Sequence, residues 1–343
     1  MLFFLFIFTS IIIFYFINNY ISKFNFLLNY KGQLHQKFSG LKNIPLTGGI
    51  FLTFSSVFLF YSYNYLLSIF LIFFFLIGFF SDINFLSSPK LRLLIQTLLI
   101  VSFVIILDIN IYYNKFIFLD YFLQDKFFRY FFSVFCLLIL INGSNFIDGL
   151  NGLMLGYFSL IIFIIFKLDF FNYLKIDEIL LINLIIVISF LFILNVNKKL
   201  FMGDSGSYVL SLICGYFLIK ISEYNLEISP YFIILLLWYP CFENLFSIIR
   251  KFSIKRSPIN ADNNHFHQLV FFYLKKKFPF KKLDINNLSS YLIILYNLII
   301  FLIGSKDPSN TQLQIICITF NIIIYLIIYF RLFIFKNKIK FYR

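Results

Sequence analysis

The chain has 343 residues, of which 61% are hydrophobic and 13% charged, whereas a soluble domain carries about 25% charged residues. The formal net charge of +14 is spread over short stretches between apolar blocks, with no basic stripe interleaved with aromatics, which excludes a nucleic-acid-binding surface and fits the basic loops of a membrane protein. Four cysteines, Cys136, Cys214, Cys241 and Cys317, lie singly in apolar segments, which excludes a disulfide framework or a thiolate metal centre.

The apolar blocks predict eleven membrane spans, at 2–21, 47–62, 64–80, 93–108, 127–142, 152–167, 178–195, 205–221, 230–249, 289–304 and 312–335. The fold class expected is an all-α polytopic membrane protein, residues 1–343 forming one integral-membrane domain. The first block has no basic residues before it and no small-residue cleavage site, so it reads as a retained span rather than a cleaved leader. If the spans alternate, one side of the membrane receives 22 of the 29 basic residues. The positive-inside rule makes that side cytoplasmic, with the N-terminus periplasmic and the C-terminus cytoplasmic. His35, His265, His267, Asp82, Asp148, Asp204 and Asp262 then all face the cytoplasm, and so does any chemistry.

Five polar motifs fall on that side, in the stretches 31–49, 78–96, 142–153, 195–207 and 250–268. The first runs from His35 through Lys42 to Gly48-Gly49, where paired glycines opening a helix can bring backbone N–H groups to a phosphate. Gly78-Phe79-Phe80-Ser81-Asp82 ends a span and precedes Ser88-Pro89-Lys90-Leu91-Arg92 and Gln96. Next comes Asn142-Gly143-Ser144-Asn145-Phe146-Ile147-Asp148-Gly149-Leu150-Asn151-Gly152. On a helix, Asn142, Asn145 and Asp148 share a face, offering amides and a carboxylate to a polar ligand. Gly203-Asp204-Ser205-Gly206-Ser207 sets a carboxylate between glycines, where a phosphate or metal can approach the backbone; the serines can equally cap the helix. The last, Arg256 to Gln268, holds His265 and His267. Their i, i+2 spacing suits a loop or extended segment rather than one helix face, and no H-E-x-x-H or nearby cysteine makes a zinc site of them.

Taken in this order, the motifs resemble the polyprenyl-phosphate N-acetylhexosamine-1-phosphate transferase family (glycosyltransferase family 4), in its GlcNAc-1-phosphate branch. The resemblance runs from about His35 to His267. The family's G-x-x-D-D and S-P-K-L-R-L-L-x-Q look like Gly78 to Gln96, with Ser81 standing where the first aspartate is expected. Its N-x-x-N-x-x-D-G-x-D-G-L keeps Asp148 but has Asn151 for the second acid. G-D-S-G-S is intact at Asp204, the P-x-x-D aspartate is Glu243, and H-x-H-H becomes His265-Phe266-His267-Gln268.

The resemblance implies transfer of a sugar-1-phosphate from a UDP-N-acetylhexosamine to undecaprenyl phosphate, with release of UMP, starting a lipid-linked envelope glycan such as O-antigen. It implies Mg²⁺, or Mn²⁺ in its place, on Asp204 and Asp82, with Asp82, Asp204, His265 and His267 catalytic. Lys42, Asn142, Asn145, Asp148 and Arg256 are the expected substrate contacts. The expected partners are the UDP-sugar, the polyprenyl phosphate and membrane lipid, without nucleic acid; a homodimer is compatible with the sequence. The expected location is the bacterial inner membrane, as a multi-pass protein. Two charged phosphates must meet, which calls for a divalent cation and basic groups; the nucleophile is already ionised, so no strong base is obligatory. The competing readings are the phospho-N-acetylmuramoyl-pentapeptide transferase branch, an inactive homologue, and a lipid-linked-sugar transporter.

Overall fold

A computed structural model of the chain describes residues 2–24, 27–28, 44–257, 262–278 and 284–341. Among them the structure is helical, with no strand beyond an isolated bridge between Leu28 and Pro45. Fourteen helices follow in chain order. They are α1 (Leu2–Lys23), α2 (Gly48–Phe60), α3 (Tyr65–Asp82), α4 (Pro89–Ile106), α5 (Ile117–Leu123), α6 (Lys126–Ile147) and α7 (Leu153–Lys167). After these come α8 (Phe171–Leu174), α9 (Glu178–Val196), α10 (Gly203–Tyr224), α11 (Pro230–Ser253), α12 (Phe266–Lys277), α13 (Ile285–Gly304) and α14 (Thr311–Phe341).

Nine of the helices in the described residues are long and apolar enough to cross a membrane. The other two expected spans coincide with α2 and α7, which have only 13 and 15 residues. At about 1.5 Å per residue each falls short of a hydrocarbon core about 30 Å thick. Both are mostly buried against neighbouring helices, so their apolar character serves the protein interior. Their apolar runs cannot be told from spans by composition alone.

The starts of the helices are written locally. Asn64, Ser88 and Asp125 each accept a hydrogen bond from a first-turn N–H, and Pro89 and Pro230 sit in first turns, where no donor is missed. Pro240 interrupts α11 and cannot donate to the carbonyl of Leu236. The Tyr157 hydroxyl donates to that carbonyl instead, at 2.8 Å, so this acceptor is paired in its apolar surrounding. Trp238 Nε1 donating to Asn297 Oδ1 at 2.8 Å joins α11 to α13 in the same way.

The axis of the bundle is α10, 94% buried along its apolar window, against 17% for α1. It packs on α3, α6 and α2. Large apolar side chains point outward elsewhere, among them Phe8, Phe16, Leu98, Phe127 and Phe131, all more than half exposed. Large outward-facing apolar side chains on several helices suit a lipid environment. The protein is a multi-pass membrane protein by these criteria. All four cysteines are free.

Small residues let the helices approach closely where the motifs meet. A Cβ on Gly78 would lie 2.3 Å from Ser205 Cα, and one on Gly143 would lie 2.1 Å from the Pro240 carbonyl oxygen. Backbone cannot yield as a side chain can. Gly143→Ala should therefore force α6 from α11 and cost roughly 1–3 kcal/mol. Gly215→Ala, whose Cβ would meet only the ends of Leu137 and Leu140, should cost less. Thermal unfolding of the two purified variants measures the difference, and equal midpoints would contradict this packing.

Candidate active site

Helices α3, α6 and α11 end, and α4, α7, α10 and α12 begin, around one end of the bundle, so motifs distant in sequence converge there. The centre is Asp82, on the last turn of α3 and buried. Its Oδ1 accepts the Asp204 N–H at 2.9 Å; its Oδ2 accepts the Ser205 N–H at 3.2 Å and the Ser205 hydroxyl at 2.8 Å. These are first-turn N–H groups of α10, which have no partner within their own helix. A carboxylate there also complements the positive end of the helix dipole. Gly203 makes the approach possible twice over: its φ is +71°, and a Cβ would lie 2.5 Å from Asp82 Oδ2.

Asp204 is thereby aimed at α4. Its Oδ2 accepts the Ser81 hydroxyl at 2.6 Å and Arg92 Nη1 at 2.7 Å. Arg92 also donates to Ser81 Oγ at 2.5 Å. Ser81, where the motif leads one to expect an acid, is thus the link between a carboxylate and a guanidinium. Its neutral hydroxyl keeps a further negative charge away from Asp204. The motif alone does not mark Arg92 among its neighbours. The signal available was its place in the first turn of a proline-started helix ten residues after Asp82.

The 142–153 motif splits into structural and site-facing parts. Asn142 donates to Gln96 Oε1 at 3.1 Å and to the Leu138 carbonyl at 2.9 Å, tying α6 to α4. Asn145 reaches the Tyr208 hydroxyl. Asn151, standing for an acid, is buried, and its N–H donates to Asn286 Oδ1 at 2.7 Å. Asp148 follows the last turn of α6, outside the spans. Burial, with the charges of Asp204 and Asp82 adding to it, holds its carboxyl well above the usual carboxylate range. Three carboxylates therefore share one electrostatic neighbourhood.

The histidine segment closes the other flank. His265 is the residue before α12 and His267 lies in its first turn, so only the first is on non-helical backbone; their rings lie nearly parallel with centroids 5.8 Å apart. A Cβ on Gly149 would meet His267 Nε2 at 2.5 Å, which places the imidazole directly beside Asp148-Gly149. His265 Nδ1 is 2.9 Å from Glu243 Oε1. Phe266 N–H donates to both Glu243 oxygens at 3.3 Å. Glu243 thus caps α12 as Asp82 caps α10. Gln268, which replaces the last histidine of the motif, accepts the His265 N–H at 3.4 Å. Asp262 pairs with Arg250. Burial pushes the Asp262 carboxyl up, but the Arg250 hydrogen bond and the charges of His265, Arg250 and Lys251 outweigh it and hold it below the usual range. Lys251, buried, has its Nζ 5.8 Å from the centre of the Phe146 ring. Neither Arg250 nor Lys251 stood out in the sequence, because nothing in a run of basic residues tells which ones turn inward.

Other expected residues lie elsewhere. Arg256 is exposed beyond the end of α11. Lys42 and His35 are outside the described residues. The Gly48 N–H is taken by the Phe201 carbonyl at 3.1 Å, and Gly49 faces Ser205 and Gly206, so these glycines serve helix packing rather than an open anion site.

Among the described residues no group of three or more His, Cys, Asp or Glu is arranged to hold a metal ion. Mg²⁺ does not need one, since it binds through one or two carboxylates plus phosphate oxygens and water. Asp204 fits that demand: its side chain is 24% exposed, and among the described residues its Oδ1 accepts no hydrogen bond. Asp82 stands behind it with both oxygens engaged.

Asp148 gives a test of this electrostatic crowding. A folded-state pKa above the unfolded value of about 3.9 means that the folded protein holds the proton more tightly. That contribution is full below the unfolded value and is lost as pH rises through the folded one. Asp148→Asn should then raise the unfolding midpoint more at pH 8 than at pH 4, measured in EDTA; an equal effect at both would contradict the raised pKa.

Residues 64–222, which contain Asp82, Arg92, Asp148 and Asp204, match the family model described as glycosyl transferase family 4. The chain is also 30% identical, over 130 residues, to an undecaprenyl-phosphate alpha-N-acetylglucosaminyl 1-phosphate transferase of Thermotoga maritima. That stretch is 38% of this chain and 39% of the relative's length. The carboxylates that seat α10 and flank its first turn lie inside the segment that resembles glycosyl transferase family 4.

Proposed function

We propose that the protein transfers an N-acetylhexosamine-1-phosphate, with GlcNAc-1-phosphate as the first donor to try, from its UDP-sugar to undecaprenyl phosphate. A non-bridging oxygen of the lipid phosphate attacks the sugar-bearing phosphorus of the donor. The pyrophosphate bond breaks, and UMP leaves. The observation that carries this reading is Asp204, seated by Asp82 on a buried helix N-terminus and paired with Arg92, inside the segment that matches the family. The relative's name supports the choice of lipid and sugar.

In this reading Asp204, backed by Asp82, holds Mg²⁺. Bound there, the ion offsets the negative charge of the two phosphates in the transition state. Arg92 exchanges its contact with Asp204 for one with a phosphate oxygen, a bidentate role suited to guanidinium. His265 and His267 donate to the phosphates from the other flank, with Glu243 fixing the His265 ring through Nδ1. Asn145 and Asp148 face the nucleoside end; a carboxyl that keeps its proton can donate as well as accept. Arg256 and Lys42 remain candidates for contacts made once substrate is bound. The acceptor phosphate is already ionised, so the replacement of an acid by Ser81 removes no required base.

We place the site on the cytoplasmic face of a bacterial inner membrane, because 22 of 29 basic residues collect on that side. The eleven-span topology, with the N-terminus periplasmic, requires α2 and α7 to complete two short crossings within the bundle. The product would begin a lipid-linked envelope glycan.

Membranes supplied with undecaprenyl phosphate, labelled UDP-GlcNAc and Mg²⁺ should yield label extractable into organic solvent and an equal amount of UMP. EDTA should abolish both, and Asp204→Asn should lower the rate at least about 100-fold, the scale at which removing an electrostatic stabiliser acts. Absence of transfer from every UDP-N-acetylhexosamine tried would refute the reading and favour a protein that binds these ligands without turnover.

A further inference from the structure

The last helix, α14, lies beyond the segment that matches the family, and most of its surface is apolar and outward-facing. Ile316, Phe320, Ile323 and Ile327 are all at least half exposed. One stripe is different. Tyr325 and Tyr329 are 2% and 1% exposed and Lys336 is 8% exposed. The spacings of four and seven residues put all three on one face of the helix.

Each of the three donates to the histidine segment or to the carboxylate that holds it. The Tyr325 hydroxyl donates to Glu243 Oε2 at 2.7 Å. The Tyr329 hydroxyl donates to the Asn264 carbonyl at 3.0 Å. Lys336 Nζ donates to the Asn263 carbonyl at 2.6 Å and to Asn264 Oδ1 at 2.8 Å. The two tyrosine rings stack at 5.8 Å with an interplanar angle of 8°, so their hydroxyls are held in register. In the sequence Lys336 counts only as one of the tail's basic charges. In the fold it is a buried cation whose donors meet the backbone just before His265.

A backbone carbonyl in a loop is normally left to water. Here a buried ammonium and one buried phenol donate to Asn263 and Asn264, while a second phenol donates to the Glu243 carboxylate that holds His265 and Phe266 and stacks its ring on Phe266. Glu243 holds the segment from α11, and the helix behind it completes the placement of the imidazole.

We propose that α14 is a strut that sets the geometry of the histidine segment, with Tyr325, Tyr329 and Lys336 as positioning residues for His265. The proposal rests on the transferase reading for its effect on rate, but not for its effect on the loop. None of the three touches the reacting atoms; they act through Glu243 and through the backbone of Asn263 and Asn264.

The test uses the full chain in lipid nanodiscs, comparing wild type with Tyr329→Phe, Lys336→Met, Lys336→Arg and the outward-facing Ile327→Val. Amide hydrogen exchange across 262–269 is read first. It should quicken about tenfold or more in Lys336→Met and in Tyr329→Phe, recover in Lys336→Arg, and stay at the wild-type rate in Ile327→Val. Transfer kinetics are read second. The same two variants should lose about tenfold in kcat with a smaller change in KM for the UDP-sugar, and Lys336→Arg should recover most of it. Tyr329→Phe removes a single oxygen and keeps the stacked ring, so it serves if Lys336→Met does not fold. Exchange unchanged from wild type in both variants would overturn the strut. Faster exchange with unaltered kcat would overturn the role in catalysis. If the wild-type protein transfers nothing, the transferase reading fails, and the exchange rates alone decide whether α14 holds the segment.

Discussion

The site depends on one device used twice: a buried carboxylate from one helix caps the N-terminus of another. Asp82 of α3 takes the free N–H groups of α10, and Glu243 of α11 takes that of α12. An uncapped N-terminus buried among apolar helices would leave unpaired donors, each a cost of order 1–3 kcal/mol. A carboxylate buried without donors would cost more. Each pays the other's penalty, and the result is a rigid joint. Both joints carry a proposed site residue immediately next to them, Asp204 in one case and His265 in the other. The positions of these two side chains are therefore fixed by helix packing and not by loop conformation.

That arrangement explains the departures from the family's motif. Ser81 is compatible with the site because it donates to Asp204 and receives Arg92, where an acid would add a like charge to a crowded group. Asn151 sits against Asn286 and Asn287 of α13, so an amide serves its contacts better than a carboxylate would. Gln268 closes the first turn of α12 on His265. The chain has replaced acids and a histidine at positions where this fold asks for neutral hydrogen bonding, and has kept Asp82, Asp148 and Asp204, the carboxylates that crowd one centre.

Much of this was legible in the sequence. The apolar blocks gave the helices, and the polar motifs between them gave acids and histidines that the fold brings to one end of the bundle, because charged groups next to membrane segments are costly unless used. What the sequence hid depended on long-range contacts. The shortness of α2 and α7 was invisible because a buried helix and a spanning helix have the same composition. Arg92 is one unremarkable position of a motif, and Arg250, Lys251 and Lys336 are only members of basic runs, since only packing tells which basic residue turns inward. Gly48 and Gly49 suggest an anion site, but their small size is used for contact with the segment 200–202 and with the first turn of α10.

The joint between Asp82 and α10 is the part of the account on which the rest stands, and Asp82→Asn tests it most directly. Asparagine keeps the shape and one acceptor oxygen but loses the charge and the second acceptor. The measurement is the rate of sugar-1-phosphate transfer in membranes as Mg²⁺ is raised. The account predicts a loss of at least about 100-fold at ordinary Mg²⁺, because Asp204 is no longer held on its helix start. Full activity in Asp82→Asn at the Mg²⁺ concentration that suffices for the unaltered protein would contradict it.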